Sequence, residues 1–130
     1  MKFIIGGAFQ GKTQAACSLA KCCREDLIDG RICGFDEPER AKGIFAFHEY
    51  IRRRIRQQCL PEDIAGELFK KNPDLIIISD EIGYGIVPVD REDRLFREQM
   101  GRIGCQIAAL SDTVVRVTAG IPVVIKGEWK

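Results

Sequence analysis

The sequence predicts an α/β fold, a mostly parallel sheet flanked by helices. Short apolar runs alternate with longer amphipathic stretches, the pattern of repeated strand–helix units. The run Leu75-Ile76-Ile77-Ile78 is apolar at every position, so it reads as a strand covered on both faces. A glycine-rich turn joins the first apolar run to the first amphipathic stretch.

Strand one is expected over about Lys2 to Ile5, and a helix follows from about Lys12 to Cys23, with Ala15, Ala16, Leu19 and Ala20 at helical spacing. Asp29-Gly30 marks a turn, and Arg31 to Phe35 reads as a second, weak strand. Ala41 to Gln58 reads as one long helix, because Ile44, Phe47, Ile51 and Ile55 recur three or four apart. Pro61-Glu62-Asp63 restarts a helix that ends near Lys71. Asn72-Pro73 stops it, since the residue before proline is pushed out of helical geometry. Asp74 to Ser79 is the buried strand, Gly83 to Pro88 a loop, and Asp90 to Leu110 a charged amphipathic helix. Thr113 to Thr118, a turn at Ala119-Gly120-Ile121-Pro122 and a last strand from Val123 to Lys126 complete the chain.

With 130 residues and 45% hydrophobic content, the chain is expected to form a single domain over 1–130 with a core of its own. Lys and Arg number 20 against 19 Asp and Glu, and this near balance argues against a general nucleic-acid binder, which needs a basic excess. No apolar run approaches the roughly 20 residues of a membrane span. Lys2 leads directly into Phe3-Ile4-Ile5 with no signal-peptide pattern, so the expectation is a cytoplasmic protein. The six cysteines contain no C-x-x-C pair and there is one histidine, which favours reduced thiols over zinc or a disulfide framework.

Gly6-Gly7-Ala8-Phe9-Gln10-Gly11-Lys12-Thr13 satisfies G-x-x-x-x-G-K-[ST] between an expected strand and an expected helix, the context this P-loop motif requires. Glycines let backbone N–H groups curl around phosphate oxygens, and the positive end of the following helix dipole points at the same place. Lys12 is placed to reach the β- and γ-phosphates of GTP or ATP, and the Thr13 hydroxyl to complete the shell of a Mg²⁺ ion. At the end of the buried strand, Asp80 is a candidate Mg²⁺ partner and Glu81 a candidate base or metal contact. Both carboxylates also fit a plain solvated strand end.

With these residues in view, the chain resembles the bifunctional adenosylcobinamide kinase/adenosylcobinamide-phosphate guanylyltransferase family of cobalamin biosynthesis. The likeness lies in Ile4 to Ala8 with Gly11-Lys12-Thr13, and in a longer stretch from Ser79 to Lys126. That stretch holds Glu81-Ile82-Gly83-Tyr84-Gly85-Ile86-Val87-Pro88, Phe96-Arg97, Gly101-Arg102 and Gly120-Ile121-Pro122. The resemblance implies a P-loop NTPase-like sheet of the recombinase type, a homo-oligomer and two reactions. One phosphorylates adenosylcobinamide, a corrinoid; the other transfers GMP from GTP through a guanylylated histidine. Phe9-Gln10 replaces the family's usual Arg-Ser, and Asp80 and Gly104 each stand where Asn is usual. The family's Asp-Cys-Leu-Thr strand, whose aspartate serves magnesium, has no counterpart here, so the resemblance implies either that Asp80 has taken over that role or that metal-assisted transfer is weakened or absent.

His48 lies about as far from the P-loop as the family's guanylylated histidine and precedes a basic stretch, so nucleophilic attack on the α-phosphate is one reading. Its helical spacing from Ile44 makes a hydrogen-bonded core histidine the other. Arg52, Arg53, Arg54 and Arg56 fit either a phosphate site or a solvated helix face. Gly83 and Gly85 follow the carboxyl end of a central strand, where ligands approach open α/β sheets, or else form a tight structural turn. The functional expectation is a nucleotide-dependent transferase. The alternatives are a P-loop protein that binds nucleotide to control a partner, and a small ATPase or GTPase.

Overall fold

The computed structural model describes residues 1–8, 11–81 and 90–129. Six strands form one sheet in the order β2-β3-β4-β1-β5-β6, comprising β1 (Lys2–Gly6), β2 (Leu27–Asp29), β3 (Gly43–Phe45), β4 (Ile76–Asp80), β5 (Thr113–Thr118) and β6 (Ile121–Lys126). All neighbouring pairs are parallel except β5–β6, which closes as an antiparallel hairpin. The mostly parallel α/β sheet expected from the sequence is therefore present, with β1 between β4 and β5.

Helices α2 (Phe47–Arg56), α3 (Ile64–Lys71) and α4 (Arg91–Leu110) share one side of the core. There Phe47, Tyr50, Ile51, Leu68, Phe96 and Ile103 bury against Phe3, Ile44, Ile77 and Val114. The smaller cluster, with Ile4, Ile76, Ile78, Val115 and Val117, is covered by Ala15 and Ala16 of α1 (Lys12–Ala20). Strand residues of alternating parity thus face opposite layers, as a pleated sheet requires.

Several element boundaries differ from the sequence expectation. The weak strand expected over Arg31 to Phe35 is a turn: the Asp29 carboxylate accepts from the Arg31 amide at 2.9 Å, and the Asp29 carbonyl accepts from Ile32 and Cys33. This local side-chain bond draws the backbone out of a ladder. The pairing strand is Leu27–Asp29, which begins four residues earlier. The long helix expected over Ala41 to Gln58 is a strand and a helix. Gly43-Ile44-Phe45 pairs with β2 and β4, and Ala46 in the left-handed region (φ 52°) turns the chain into α2. Ile44 happens to fall on the helical phase of Phe47 and Ile51, which hides a three-residue strand inside a helical pattern.

The first helix ends at Ala20 rather than Cys23, because Lys21 adopts φ 54° and the Cys22 amide closes back on the Cys17 carbonyl. In α3, Asp63 caps the first turn by accepting from the Gly66 amide, and Asn72 leaves the helix to donate to the carbonyls of Pro38 and Ala41. Asp90 caps α4 through the Glu92 amide. The final hairpin turn is Ala119-Gly120 alone, both at positive φ, so β6 begins at Ile121.

Candidate active site

Three adjacent parallel strands end at the same edge of the sheet. Gly6 of β1 is in register with Asp80 of β4, and β3 lies on the other side of β4. The P-loop leaves β1, Asp80 ends β4, and His48 sits in the first turn of α2, three residues past the end of β3. Tight backbone packing fixes these exits. A Cβ on Gly6 would lie 2.5 Å from the Val117 carbonyl oxygen, and Gly11, at φ 78°, starts α1 from the left-handed region.

At this edge Lys12, Asp80 and His48 converge. Lys12 is buried, and its Nζ lies 2.6 Å from Asp80 Oδ1 and donates to the Gly7 carbonyl at 2.8 Å. Asp80 Oδ2 lies 3.5 Å from His48 Nε2, and the Asp80 backbone amide donates to His48 Nδ1 at 3.2 Å. Burial pushes the imidazole below its ordinary pKa. Asp80 and Glu49 pull the other way, and Lys12 and Arg52 reinforce the burial. His48 is therefore neutral at pH 7, with the lone pair on Nδ1 and the proton on Nε2.

These side chains border a cleft of about 580 Å³. Gly11, Lys12 and Thr13 line it together with His48, Glu49, Ile78 and Asp80, and so do Phe45, Arg24 and Arg31. Ala8 also lines it. Glu81 faces elsewhere: its carboxylate pairs with Arg116 of β5 at 2.9 Å, while its amide donates to the Gly6 carbonyl. Phe9, Gln10, Gly83 and Gly85 lie outside the described residues. The arginine run of α2 does not reach the cleft. Arg53 donates to the Gly30 and Cys33 carbonyls, Arg54 to the Cys59 carbonyl and the Tyr50 hydroxyl, Arg52 pairs with Asp93 and Arg56 with Glu92. It is neither a free solvated face nor part of the cleft wall, but a set of ties between α2 and its surroundings.

The family model for cobinamide kinase / cobinamide phosphate guanyltransferase matches residues 44–125, which is more than half of the chain. The chain belongs to this family. Among curated members, the bifunctional adenosylcobalamin biosynthesis protein CobP of Pseudomonas aeruginosa is 30% identical over 112 residues, covering 86% of this chain and 54% of the relative. The CobU proteins of Salmonella typhimurium and Escherichia coli are each 42% identical over 52 residues, which is 40% of this chain and 29% of theirs. The chain thus spans about half the length of the Pseudomonas relative, and the matched segment is under a third of the other two. The family match includes His48, Asp80 and Glu81, whereas the P-loop at Gly6 to Thr13 precedes it.

Sequence reasoning did not single out Arg24, Phe45 or Glu49 as cleft residues. Phe45 is concealed in the sequence because Gly43–Phe45 falls within a helical pattern, so no strand end points to it. Glu49 had a usable signal, its place beside His48 at the start of α2. Arg24 has none, since only the fold brings the turn after α1 to the cleft.

Proposed function

We propose that this chain binds GTP or ATP with Mg²⁺ at Gly6 to Thr13 and transfers a phosphoryl or guanylyl group to a corrinoid of the adenosylcobinamide type. The observation that carries this is the convergence of Lys12, Asp80 and His48 beside the cleft, at the carboxyl edge of adjacent parallel strands, in a member of this family. Lys12 is held by Asp80 and the Gly7 carbonyl at the mouth of the P-loop, and its ammonium is in place to follow the charge that moves onto phosphate oxygens.

The donor set suits Mg²⁺, which keeps most of its shell as water and phosphate oxygens and asks the protein for one or two oxygens. Thr13 and Asp80 line the same cleft and supply a hydroxyl and a carboxylate. Bound there, the ion contributes charge neutralisation at the transferred group. The remaining work belongs to the chain. Asp80 orients His48 and Lys12 together, and the helix that begins at Lys12 directs its dipole to the phosphates.

For guanylyl transfer, a nitrogen of His48 attacks the α-phosphorus, the bond to the β-phosphate oxygen breaks and pyrophosphate leaves. The Nδ1 lone pair is engaged by the Asp80 amide, so attack by Nε2 needs the other neutral tautomer, with the ring proton shifted to Nδ1 and the bond from the Asp80 amide broken. That engagement supports a second reading, in which the chain binds nucleotide or hydrolyses it without a covalent step. Intact-protein mass spectrometry after incubation with Mg²⁺ and GTP, with ATP as control, separates the two. One added GMP mapped to His48 supports guanylyl transfer; bound GTP with no adduct leaves kinase, hydrolase or binding-only behaviour. We further propose a cytoplasmic homo-oligomer. No helix among the described residues is long and apolar enough to cross a membrane.

A further inference from the structure

The charges around the cleft are almost all paired. Lys12 is held by Asp80 at 2.6 Å, and the Arg31 guanidinium forks onto Asp29 at 2.8–3.1 Å. Glu49 Oε1 lies 3.6 Å from Arg52 Nε. Arg24 stands apart. Its guanidinium carbon sits 4.7 Å from the centroid of Phe45, and no carboxylate lies within ion-pair distance of it among the described residues. Asp26, two residues away, turns its carboxylate to the Cys23 amide instead.

A guanidinium laid over an aromatic ring keeps its N–H edges free, and those edges match two oxygens of a phosphate. Phe45 is rigidly placed as the last residue of β3, with its carbonyl accepting from the Gly30 amide at 2.8 Å. Arg24 is therefore a braced cation that lines the same cleft as Gly11, Lys12 and Thr13. The P-loop already supplies Lys12 and a helix terminus for the nucleotide, so the charge of Arg24 serves a second anion.

We propose that Arg24, braced on Phe45, is a specificity residue that holds the phosphomonoester of a phosphorylated acceptor while the nucleotide occupies Gly6 to Thr13. This rests on the transferase reading given above. The phosphorylated acceptor, but not the unphosphorylated one, presents a dianionic group to fork with Arg24, so the pair favours the substrate of nucleotidyl transfer over that of phosphorylation. Arg31 does not share this role, because its fork is already filled by Asp29.

The test is equilibrium dialysis of the full chain with cobinamide phosphate and with cobinamide, both followed by corrinoid absorbance, in the presence of Mg²⁺ and a non-hydrolysable GTP analogue. Wild type is expected to bind the phosphate ester about tenfold tighter than cobinamide. Arg24→Gln is expected to reduce that ratio to about one, and Arg24→Lys to restore part of it, with affinity for the GTP analogue unchanged in both. A wild-type ratio near one, an unchanged ratio in Arg24→Gln, or an equal loss of nucleotide affinity overturns the assignment while leaving the transferase reading standing. Failure of wild type to bind either corrinoid, with the nucleotide still bound, overturns both. The thermal midpoint of each variant, expected to match wild type because Arg24 is exposed, separates a local effect from misfolding.

Discussion

The backbone amide of Asp80 donates to His48 Nδ1 at 3.2 Å while the carboxylate of the same residue faces Nε2 at 3.5 Å, so one residue addresses both nitrogens of the only histidine. The amide cannot accept a proton, and this fixes Nδ1 as the lone-pair nitrogen of the neutral ring. Nitrogen-15 spectra of uniformly labelled protein at pH 7.5 are expected to show His48 as the Nε2–H tautomer. A spectrum dominated by Nδ1–H would show that the bond from the Asp80 amide is not formed in solution.

Burial lowers the pKa of His48 in the folded state, and the sign of its stability effect follows. Between the lowered folded value and the ordinary value of about 6.5, the unfolded chain binds the extra proton. Stability therefore rises with pH through that window and is lost as pH falls below about 6.5. Denaturant midpoints for wild type are expected to drop between pH 7.5 and pH 5.5, and His48→Gln to drop less over the same range. Parallel pH profiles for the two proteins would place the sensitivity on other groups.

Lys12 and Asp80 are each inside or near the core, and either left alone is a poorly solvated charge. Lys12→Ala is expected to abolish triphosphate binding by calorimetry, and also to cost about 1–3 kcal/mol of folding stability through the orphaned carboxylate. Asp80→Asn on that background is expected to recover part of the loss, because it removes the charge that Lys12 had been balancing. A purely additive double-mutant cycle in urea would mean that the two side chains do not interact in solution.

The basic stretch of α2 invites a functional reading that its bonding partners do not support. Arg53 spans the Gly30 and Cys33 carbonyls, tying the turn after β2 to the helix, and Arg54 bonds the Cys59 carbonyl and the Tyr50 hydroxyl, which itself donates to the Phe35 carbonyl. Arg53→Ala is expected to destabilise the protein by on the order of 2 kcal/mol, since two half-buried carbonyls lose a charged donor. Its GTP affinity is expected to stay within about twofold of wild type. A large loss of affinity at unchanged stability would reinstate phosphate contact for this segment.

Much of this architecture was legible in the residues themselves. Gly6 to Thr13 lies between the strand and helix that its spacing demands, and the uniformly apolar run before Asp80 is the buried central strand that it resembles. What escaped was short or depended on contacts distant in sequence. Three-residue strands such as Gly43–Phe45 carry too few residues to show a period, and Ile44 counts equally for strand and helix. The pairing of Glu81 with Arg116 and of Lys12 with Asp80 depends on strand order, which local pattern does not encode. The pattern around His48 is compatible with a core residue and with a cleft residue alike, and its position is both: it is largely buried and hydrogen-bonded, and it lines the cleft.

Strand β6 has the unusual property of being apolar and uncovered. Every residue from Ile121 to Lys126 is exposed, with Ile121 at 64%, Val123 at 55% and Ile125 at 56%. It is the terminal strand of the sheet, so its outer backbone groups have no strand partner among the described residues. Edge strands that stay single are usually blunted by charge or proline, and here Pro122 and Lys126 do this only at the two ends. The apolar middle, Val123-Val124-Ile125, is left free to pair with or pack against another copy, which is the physical reason for expecting a homo-oligomer. Val123→Lys and Ile125→Lys place charge on this edge without touching the core, so circular dichroism is expected to be unchanged. Sedimentation velocity is expected to move both variants to a smaller species than wild type. If wild type already sediments as a monomer, or if both variants keep its oligomeric state, β6 is not the contact that holds copies together.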